Sequence, residues 1–106
     1  TKIEVPSGSS IGLRYFPDGA SPVLAVRLQE VFGMMETPRV NEGQEGVLMH
    51  LLSPGIKPVQ VTGDLQSFWA NAYFEVKKDL KRRYPKHAWP EDPLMAQAVR
   101  GVKRKS

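Results

Sequence analysis

A cluster of basic side chains surrounds one phenylalanine in the last third of the chain. On a helix, residues three or four positions apart lie on the same face, so Phe74 shares a face with Lys78, Lys81 and Arg82. Lysine and arginine bind phosphates largely without regard to base sequence, and an exposed aromatic ring stacks on an unpaired base. The pattern therefore predicts a surface, here called the basic stripe, that contacts nucleic acid through Phe74, Lys77, Lys78, Lys81, Arg82 and Lys86.

Two other interpretations of the basic stripe stay open at this point. Long basic side chains commonly lie over apolar surface with their charged ends in water, and Phe74 is then buried against a neighbouring segment. Alternatively, Phe74 and the acidic first part of the chain form a protein-docking surface that never contacts RNA. Salt separates these cases, because phosphate binding weakens steeply as salt rises while an apolar docking surface barely responds.

The charge of the chain is divided sharply between its two parts. Residues 1–76 carry five basic and eight acidic side chains, whereas residues 77–106 carry ten basic and three acidic ones. The overall formal charge of +4 therefore hides a strongly basic C-terminal part. This asymmetry is typical of a protein whose basic end meets an anionic partner, although a solvated helix face followed by a disordered tail gives the same totals.

The sequence lacks the residue patterns that catalysis and metal binding require. There is no cysteine, and the two histidines, His50 and His87, stand in an apolar strand pattern and in a proline-rich segment. No glycine-rich phosphate loop with its lysine occurs, and acidic side chains at the glycine turn of residues 43–46 would repel a phosphate. We therefore predict no catalytic residue, no bound cofactor and no metal site in this chain.

One long amphipathic helix must carry the basic stripe. Thr62 or Asp64 can cap its N-terminus and Pro85 stops it, so the helix is predicted from about residue 65 to Arg83. At about 100° per residue one broad apolar face forms, and this face must pack on a sheet. Its members are Leu65, Phe68, Trp69, Ala72, Tyr73, Val76 and Leu80.

The first part of the chain predicts strands and one short helix. Two pairs of apolar segments, each pair separated by a turn, predict two hairpins, the second at residues 47–62. Residues 23–32 are predicted as the short helix with Gly33 as its C-terminal cap, and residues 34–46 as a loop with room for a short strand near Arg39. The fold class is therefore α+β, in which about four strands form a small antiparallel sheet under the long helix. An open sheet is favoured over a barrel because a long helix follows the second hairpin.

A stiff proline-rich segment, here called the strap, follows the helix at residues 84–93. Its prolines restrict the backbone, and we expect Tyr84 and Trp89 to pin it to the body of the domain. This structural role is favoured over a binding role for the two aromatic side chains. The run Arg-Tyr-Pro-Lys-His-Ala-Trp-Pro-Glu-Asp-Pro that contains the strap is similar to the C-terminal signature of HrpB-type DEAH/RHA ATP-dependent helicases.

The resemblance to HrpB-type helicases extends over most of the chain, from about residue 6 to residue 93. Residues 22–33, 51–54 and 58–62 agree with the family, as do most positions of the predicted long helix. The resemblance implies that residues 1–93 form an HrpB-type helicase C-terminal domain. Residues 94–106 are then expected to be a flexible basic tail.

The resemblance also implies a place within a larger enzyme. A chain of 106 residues is too small to include a helicase motor, so ATP and magnesium would bind to motor domains outside it. The expected partners are those motor domains and single-stranded RNA, with a protein partner as the alternative. Since the sequence has no signal peptide, no long apolar run and no cysteine, we expect a cytoplasmic protein that does not enter a membrane. We expect it to be a monomer, because its charge and its single amphipathic helix suffice for one small core. A chain that begins with Thr1 is expected to be a piece of a longer one.

Overall fold

The computed structural model describes residues 2–40, 45–96 and 98, and within these ranges the fold is α+β, as predicted. Seven short strands and two α-helices are present in the described ranges, with one 3-10 turn at Leu28–Val31. The strands are β1 (Lys2–Glu4), β2 (Ser10–Gly12), β3 (Val23–Arg27), β4 (Arg39–Val40), β5 (Glu45–Gly46), β6 (Leu48–Leu52) and β7 (Pro58–Thr62). The helices are α1 (Leu65–Ala70) and α2 (Ala72–Arg83).

Both predicted hairpins are confirmed. Strands β1 and β2 pair in antiparallel register, and so do β6 and β7, whose pairing is irregular between Leu51 and Leu52. Strand β6 lies between β7 and β3 and pairs with β3 in parallel, so the central sheet is mixed. A parallel pair needs a long crossover connection, and here the chain between β3 and β6 includes the 3-10 turn and the short β4–β5 pair.

The prediction of a helix at residues 23–32 is wrong. Residues 23–27 form strand β3, and only the following four residues turn, as a 3-10 helix. Val23, Leu24 and Val26 are buried, which places apolar side chains on both faces of the strand. A short, continuous apolar run reads equally well as a buried strand or a buried helix, and pairing with β6 decides between them. Gly33, which was predicted as the cap of that helix, follows the 3-10 turn instead. It takes a φ of 88°, in the left-handed region where glycine is favoured.

The predicted long helix is present but is interrupted at one residue. Asp64 caps it as expected, since its carboxylate accepts a hydrogen bond from the Ser67 amide at 3.1 Å. Asn71, with φ −127° and ψ −74°, separates α1 from α2. Its side chain donates to the Ser67 carbonyl at 3.1 Å, a local bond of the kind by which asparagine competes with regular helix geometry.

The apolar face of the two helices shares one hydrophobic core with strands β3 and β6 and carries an aromatic cluster. Trp69 contacts three other rings of this cluster, with ring centroids 6.1 Å from Phe32, 5.2 Å from Phe68 and 5.4 Å from Tyr73. Its indole nitrogen donates to the Met34 carbonyl at 2.7 Å, so the ring is buried without an unpaired donor. As the sequence predicts, Leu65, Phe68, Trp69, Tyr73 and Leu80 are buried, and Ala72 and Val76 are partly buried.

A buried carboxylate joins the first hairpin to the 3-10 turn. Glu30 is 4% exposed, and its carboxylate accepts hydrogen bonds from Ser7 Oγ at 2.9 Å, Ser9 Oγ at 2.6 Å and Arg27 Nε at 3.0 Å. Burial by itself raises the pKa of Glu30. The hydrogen bonds from Ser9, Arg27 and Ser7 outweigh burial, so the pKa lies below its ordinary value.

The end of the described chain returns to the core. Leu94, Ala96 and Ala98 pack against it, and the Gly33 amide donates to the Pro93 carbonyl at 2.8 Å. Residue 97 and residues 99–106, which make up most of the predicted tail, lie outside the described residues. None of the helices in the described ranges is long and apolar enough to cross a membrane.

Candidate nucleic-acid interface

Helix α2 presents the centre of the basic stripe to solvent. Phe74 is 43% exposed, and the side chains of Lys78 and Arg82 are 78% and 80% exposed. Lys81 is exposed on the same helix, and Lys86 is exposed just after the helix, at the start of the strap. The structure therefore brings five of the six predicted residues to the surface of one helix and the segment that follows it.

A buried aromatic ring contacts the exposed ring of Phe74. Tyr73 contacts it edge to face, with ring centroids 5.6 Å apart and an interplanar angle of 69°. Tyr73 itself is fully buried, and its hydroxyl donates to the Pro90 carbonyl at 2.7 Å. Burial and, secondarily, the nearby Glu91 carboxylate raise the pKa of Tyr73, so it stays protonated and keeps this hydrogen bond. An aromatic ring held in this way loses little freedom when a base stacks on it.

Lys77 does not join the other residues of the predicted stripe. It is 8% exposed, and its ammonium group pairs with the Glu91 carboxylate on the strap. The hydrogen bond from Lys77, together with its charge, lowers the pKa of Glu91. Lys77 precedes Lys78 by one residue, so its side chain leaves the helix about 100° away from that of Lys78, on the side where its ammonium group pairs with the strap. Its place in the structure is therefore between α2 and the strap.

The strap is attached along its length to the rest of the domain. The Tyr73 hydroxyl donates to the Pro90 carbonyl and the Gly33 amide to the Pro93 carbonyl, while within the strap the indole nitrogen of the buried Trp89 donates to the Tyr84 carbonyl at 2.9 Å. The Tyr84 hydroxyl lies 3.4 Å from Ser53 Oγ, at the turn between β6 and β7. A Cβ at Gly55 would lie 2.7 Å from the Tyr84 hydroxyl oxygen, so any larger residue there would force the strap and the turn apart or shift the Tyr84 side chain. His87 packs edge to face on Tyr84, with ring centroids 6.0 Å apart.

Two carboxylates lie within the basic stripe, a feature that the sequence analysis missed. Asp79 accepts a hydrogen bond from Arg82 Nη2 at 3.0 Å and lies 3.5 Å from Arg83 Nε. Glu75 lies farther from its partner, at 3.9 Å from Lys78 Nζ. The spacing of three and four residues between opposite charges on a helix was the signal that could have identified these pairs.

The described residues contain no arrangement that suggests metal chemistry. No group of three or more histidine, aspartate and glutamate side chains converges within residues 2–40, 45–96 and 98. His50 is half-buried in strand β6 and His87 lies on the strap, so the two histidines stand on separate elements. What the exposed side of α2 offers chemically is positive charge beside one aromatic ring.

Comparison with known proteins places the chain in a family. The chain belongs to the family described as ATP-dependent helicase C-terminal, whose model matches residues 1–93, and this confirms the resemblance to HrpB-type helicases. Over 102 residues the chain is 47% identical to the ATP-dependent RNA helicase HrpB of Escherichia coli (strain K12). That match covers 96% of this chain and 12% of the relative, so the chain spans about an eighth of the relative's length.

Two solved structures are similar to this one. The crystal structure of the E. coli DExH-box NTPase HrpB matches with a TM-score of 0.88 and 45% identity, over 93% of this chain and 12% of that one. The crystal structure of the Escherichia coli DEAH/RHA helicase HrpB matches with a TM-score of 0.61 and 44% identity, over 83% of this chain and 11% of that one. Sequence and fold therefore agree on the family.

Proposed function

We propose that this chain is a non-catalytic accessory domain of a cytoplasmic ATP-dependent RNA helicase, which contacts single-stranded RNA through the exposed side of α2. The observation that carries the proposal is the exposed aromatic ring of Phe74 among Lys78, Lys81 and Arg82 on one helix face. Phosphate contacts from these cations would supply affinity with little sequence preference, and the ring would stack on an unpaired base. The helicase of E. coli to which the chain is similar is named as an RNA helicase.

In this proposal the chemical work is done elsewhere in the helicase. ATP and magnesium bind to motor domains of the same protein, and this domain packs on those motor domains. NTP hydrolysis by the motor separates strands, while α2 holds a single strand near the end of the enzyme. The sequence supports this division, since it has no phosphate-binding glycine loop with its lysine.

The attachment of the strap to α2 also supports a role in binding. The strap places Lys86 at the end of α2, and the hydrogen bond between Tyr73 and Pro90 and the ion pair between Lys77 and Glu91 join the strap to the helix. Little ordering would then be needed when a strand binds, so more of the interaction energy appears as affinity.

Fluorescence anisotropy with a labelled oligouridylate across a salt series tests the proposal. The chain should bind at low salt, and its affinity should fall as salt rises. The slope of log affinity against log salt should be proportional to the number of phosphates that the chain neutralises. Replacing Lys78, Lys81 and Arg82 with glutamine should weaken binding and flatten the salt dependence. Phe74→Ala should cost about 1–3 kcal/mol of binding free energy with nearly unchanged salt dependence, since it removes stacking and no charge.

A control variant removes the same number of charges from other surfaces. Lys2 and Arg14 are exposed near the first hairpin, and Lys57 is exposed in the turn before β7. Their replacement by glutamine should change RNA binding much less than the triple variant of α2 does. Equal losses in the two triple variants, or no binding by the parent chain at low salt, would contradict the proposal and leave protein docking through Phe74 as the better account.

A further inference from the structure

Asp79 binds two arginines of α2 at once. Its Oδ1 accepts a hydrogen bond from Arg82 Nη2 at 3.0 Å, and its Oδ2 lies 3.5 Å from Arg83 Nε. The three side chains stand three and four residues apart on the helix, a spacing at which they face one another. Each of the two carboxylate oxygens therefore has its own guanidinium partner in the free domain.

The groups that Asp79 occupies are those that a phosphate would use. Guanidinium donors recognise the oxygens of carboxylates and phosphates with the same geometry. The side chains of Arg82 and Arg83 are 80% and 62% exposed, so both can reach a strand laid along the stripe. A phosphate that binds them must compete with Asp79 for the same N–H groups.

The position of Asp79 offers the helix itself little benefit. It stands just before the last turn of α2, near the end where the helix dipole disfavours an anion. Aspartate is also a poor helix former. Exposed ion pairs of this kind contribute little to folding stability, so the fold alone gives a weak reason for a carboxylate at this position.

We propose that Asp79 is an internal counter-ion for the basic stripe and for the neighbouring Arg83. The Asp79 carboxylate holds Arg82 and Arg83 in the free domain, and an RNA phosphate displaces it. This inference rests on the proposed function. The carboxylate lowers the affinity for RNA, because part of the positive charge is already neutralised before the strand arrives. It also favours a ligand with closely spaced phosphates over an isolated anion, since the ligand must replace both contacts of Asp79. The stripe would therefore release a strand readily.

The test compares Asp79→Asn with the parent chain, using a labelled oligouridylate in a salt series. Asparagine keeps the size of the side chain and removes its charge. The variant should bind about five-fold more tightly at low salt, which is the ratio that one unit charge at about 4 Å gives in water. Its salt dependence should be steeper, by up to about 0.7 in the slope of log affinity against log salt.

Glu75→Gln is the matched control, because it removes one negative charge from the same helix face. Glu75 lies 3.9 Å from Lys78, and both side chains are more than three-quarters exposed, so no cation is held as closely. Its effect on RNA binding should be clearly smaller than that of Asp79→Asn. An equal gain in the two variants would overturn the inference, since it would show a general effect of charge.

A second readout needs no RNA. In nuclear magnetic resonance spectra of Asp79→Asn, the side-chain Nε–H signal of Arg83 should shift from its position in the parent. In spectra of Glu75→Gln, the same signal should stay at the parent's position.

If the parent binds RNA and Asp79→Asn binds no more tightly, the inference is wrong while the proposed function stands. If the parent does not bind RNA at low salt, the proposed function is wrong and the inference is wrong with it, because no phosphate then displaces Asp79.

Discussion

The hydroxyl of Tyr73 donates a hydrogen bond to the carbonyl of Pro90 at 2.7 Å, which ties the buried side of α2 to the strap. One turn further along the helix, Lys77 makes a second connection, to Glu91. The two bonds are four residues apart on the helix and one residue apart on the strap. The strap therefore contacts the same helix face at two successive turns, and Lys77, which pairs with it, is buried while Lys78 and Lys81 are exposed.

Tyr73→Phe should lower the free energy of unfolding by about 1–2 kcal/mol. The substitution keeps the ring in the aromatic cluster but leaves the Pro90 carbonyl without its donor. Urea unfolding followed by circular dichroism measures the change. Tyr15→Phe is the matched control, because Tyr15 is 54% exposed and should be replaceable at almost no cost. Equal stability of Tyr73→Phe and the parent would show that this hydrogen bond does not hold the strap.

Trp69→Ala should be severely destabilising, by about 3–5 kcal/mol. The side chain is 3% exposed, it contacts three aromatic rings, and its indole donates to Met34. Thermal melts followed by circular dichroism provide the measurement. Phe74→Ala removes an aromatic ring from the opposite side of the same helix pair and should cost about 1 kcal/mol or less. Similar losses from the two substitutions would refute the assignment of the buried face.

Stability should depend on pH through Glu30. Its pKa is lower in the folded chain than the value of about 4.3 for a free glutamate. A group with a lowered pKa stabilises the fold above its unfolded pKa, and that contribution is lost as pH falls through the folded pKa. Glu30→Gln should therefore be less stable than the parent at neutral pH, and the difference should shrink in acid. Urea unfolding at a series of pH values measures this, with the exposed Glu36→Gln as control. A difference that is constant with pH would contradict the prediction.

The chain should show neither ATPase activity nor a nucleotide-dependent shift in melting temperature. The physical reason is the lack of a glycine-rich loop whose amides and lysine hold the phosphates. A phosphate-release assay and a thermal shift assay with magnesium and ATP check the two parts. Magnesium-dependent turnover that remains with the chain after repeated purification would mean that it is not a purely accessory domain.

Local signals explain why parts of the fold were predictable. The β6–β7 hairpin has apolar strands on either side of a proline-containing turn, and α1 begins at a carboxylate cap that needs only residues three positions apart. The apolar face of the helices follows from the helical period, so Leu65, Trp69 and Leu80 were identified as core residues from spacing alone. The exposed position of Phe74 follows from the same period.

The sequence by itself determined the α+β class, the hairpins, the extent of the long helix and the resemblance to the helicase family, because each rests on local pattern or on ordered agreement of residues. Only the tertiary structure decided the state of Val23–Arg27, since a short apolar run becomes a strand when β6 is available to pair with it in parallel. It also decided the position of Lys77, which the sequence assigns to the basic stripe but which is buried in the structure, with its ammonium group paired to Glu91 of the strap. A side chain at the margin of a helix face is exposed or buried according to what packs over it, and that depends on contacts between residues far apart in the chain.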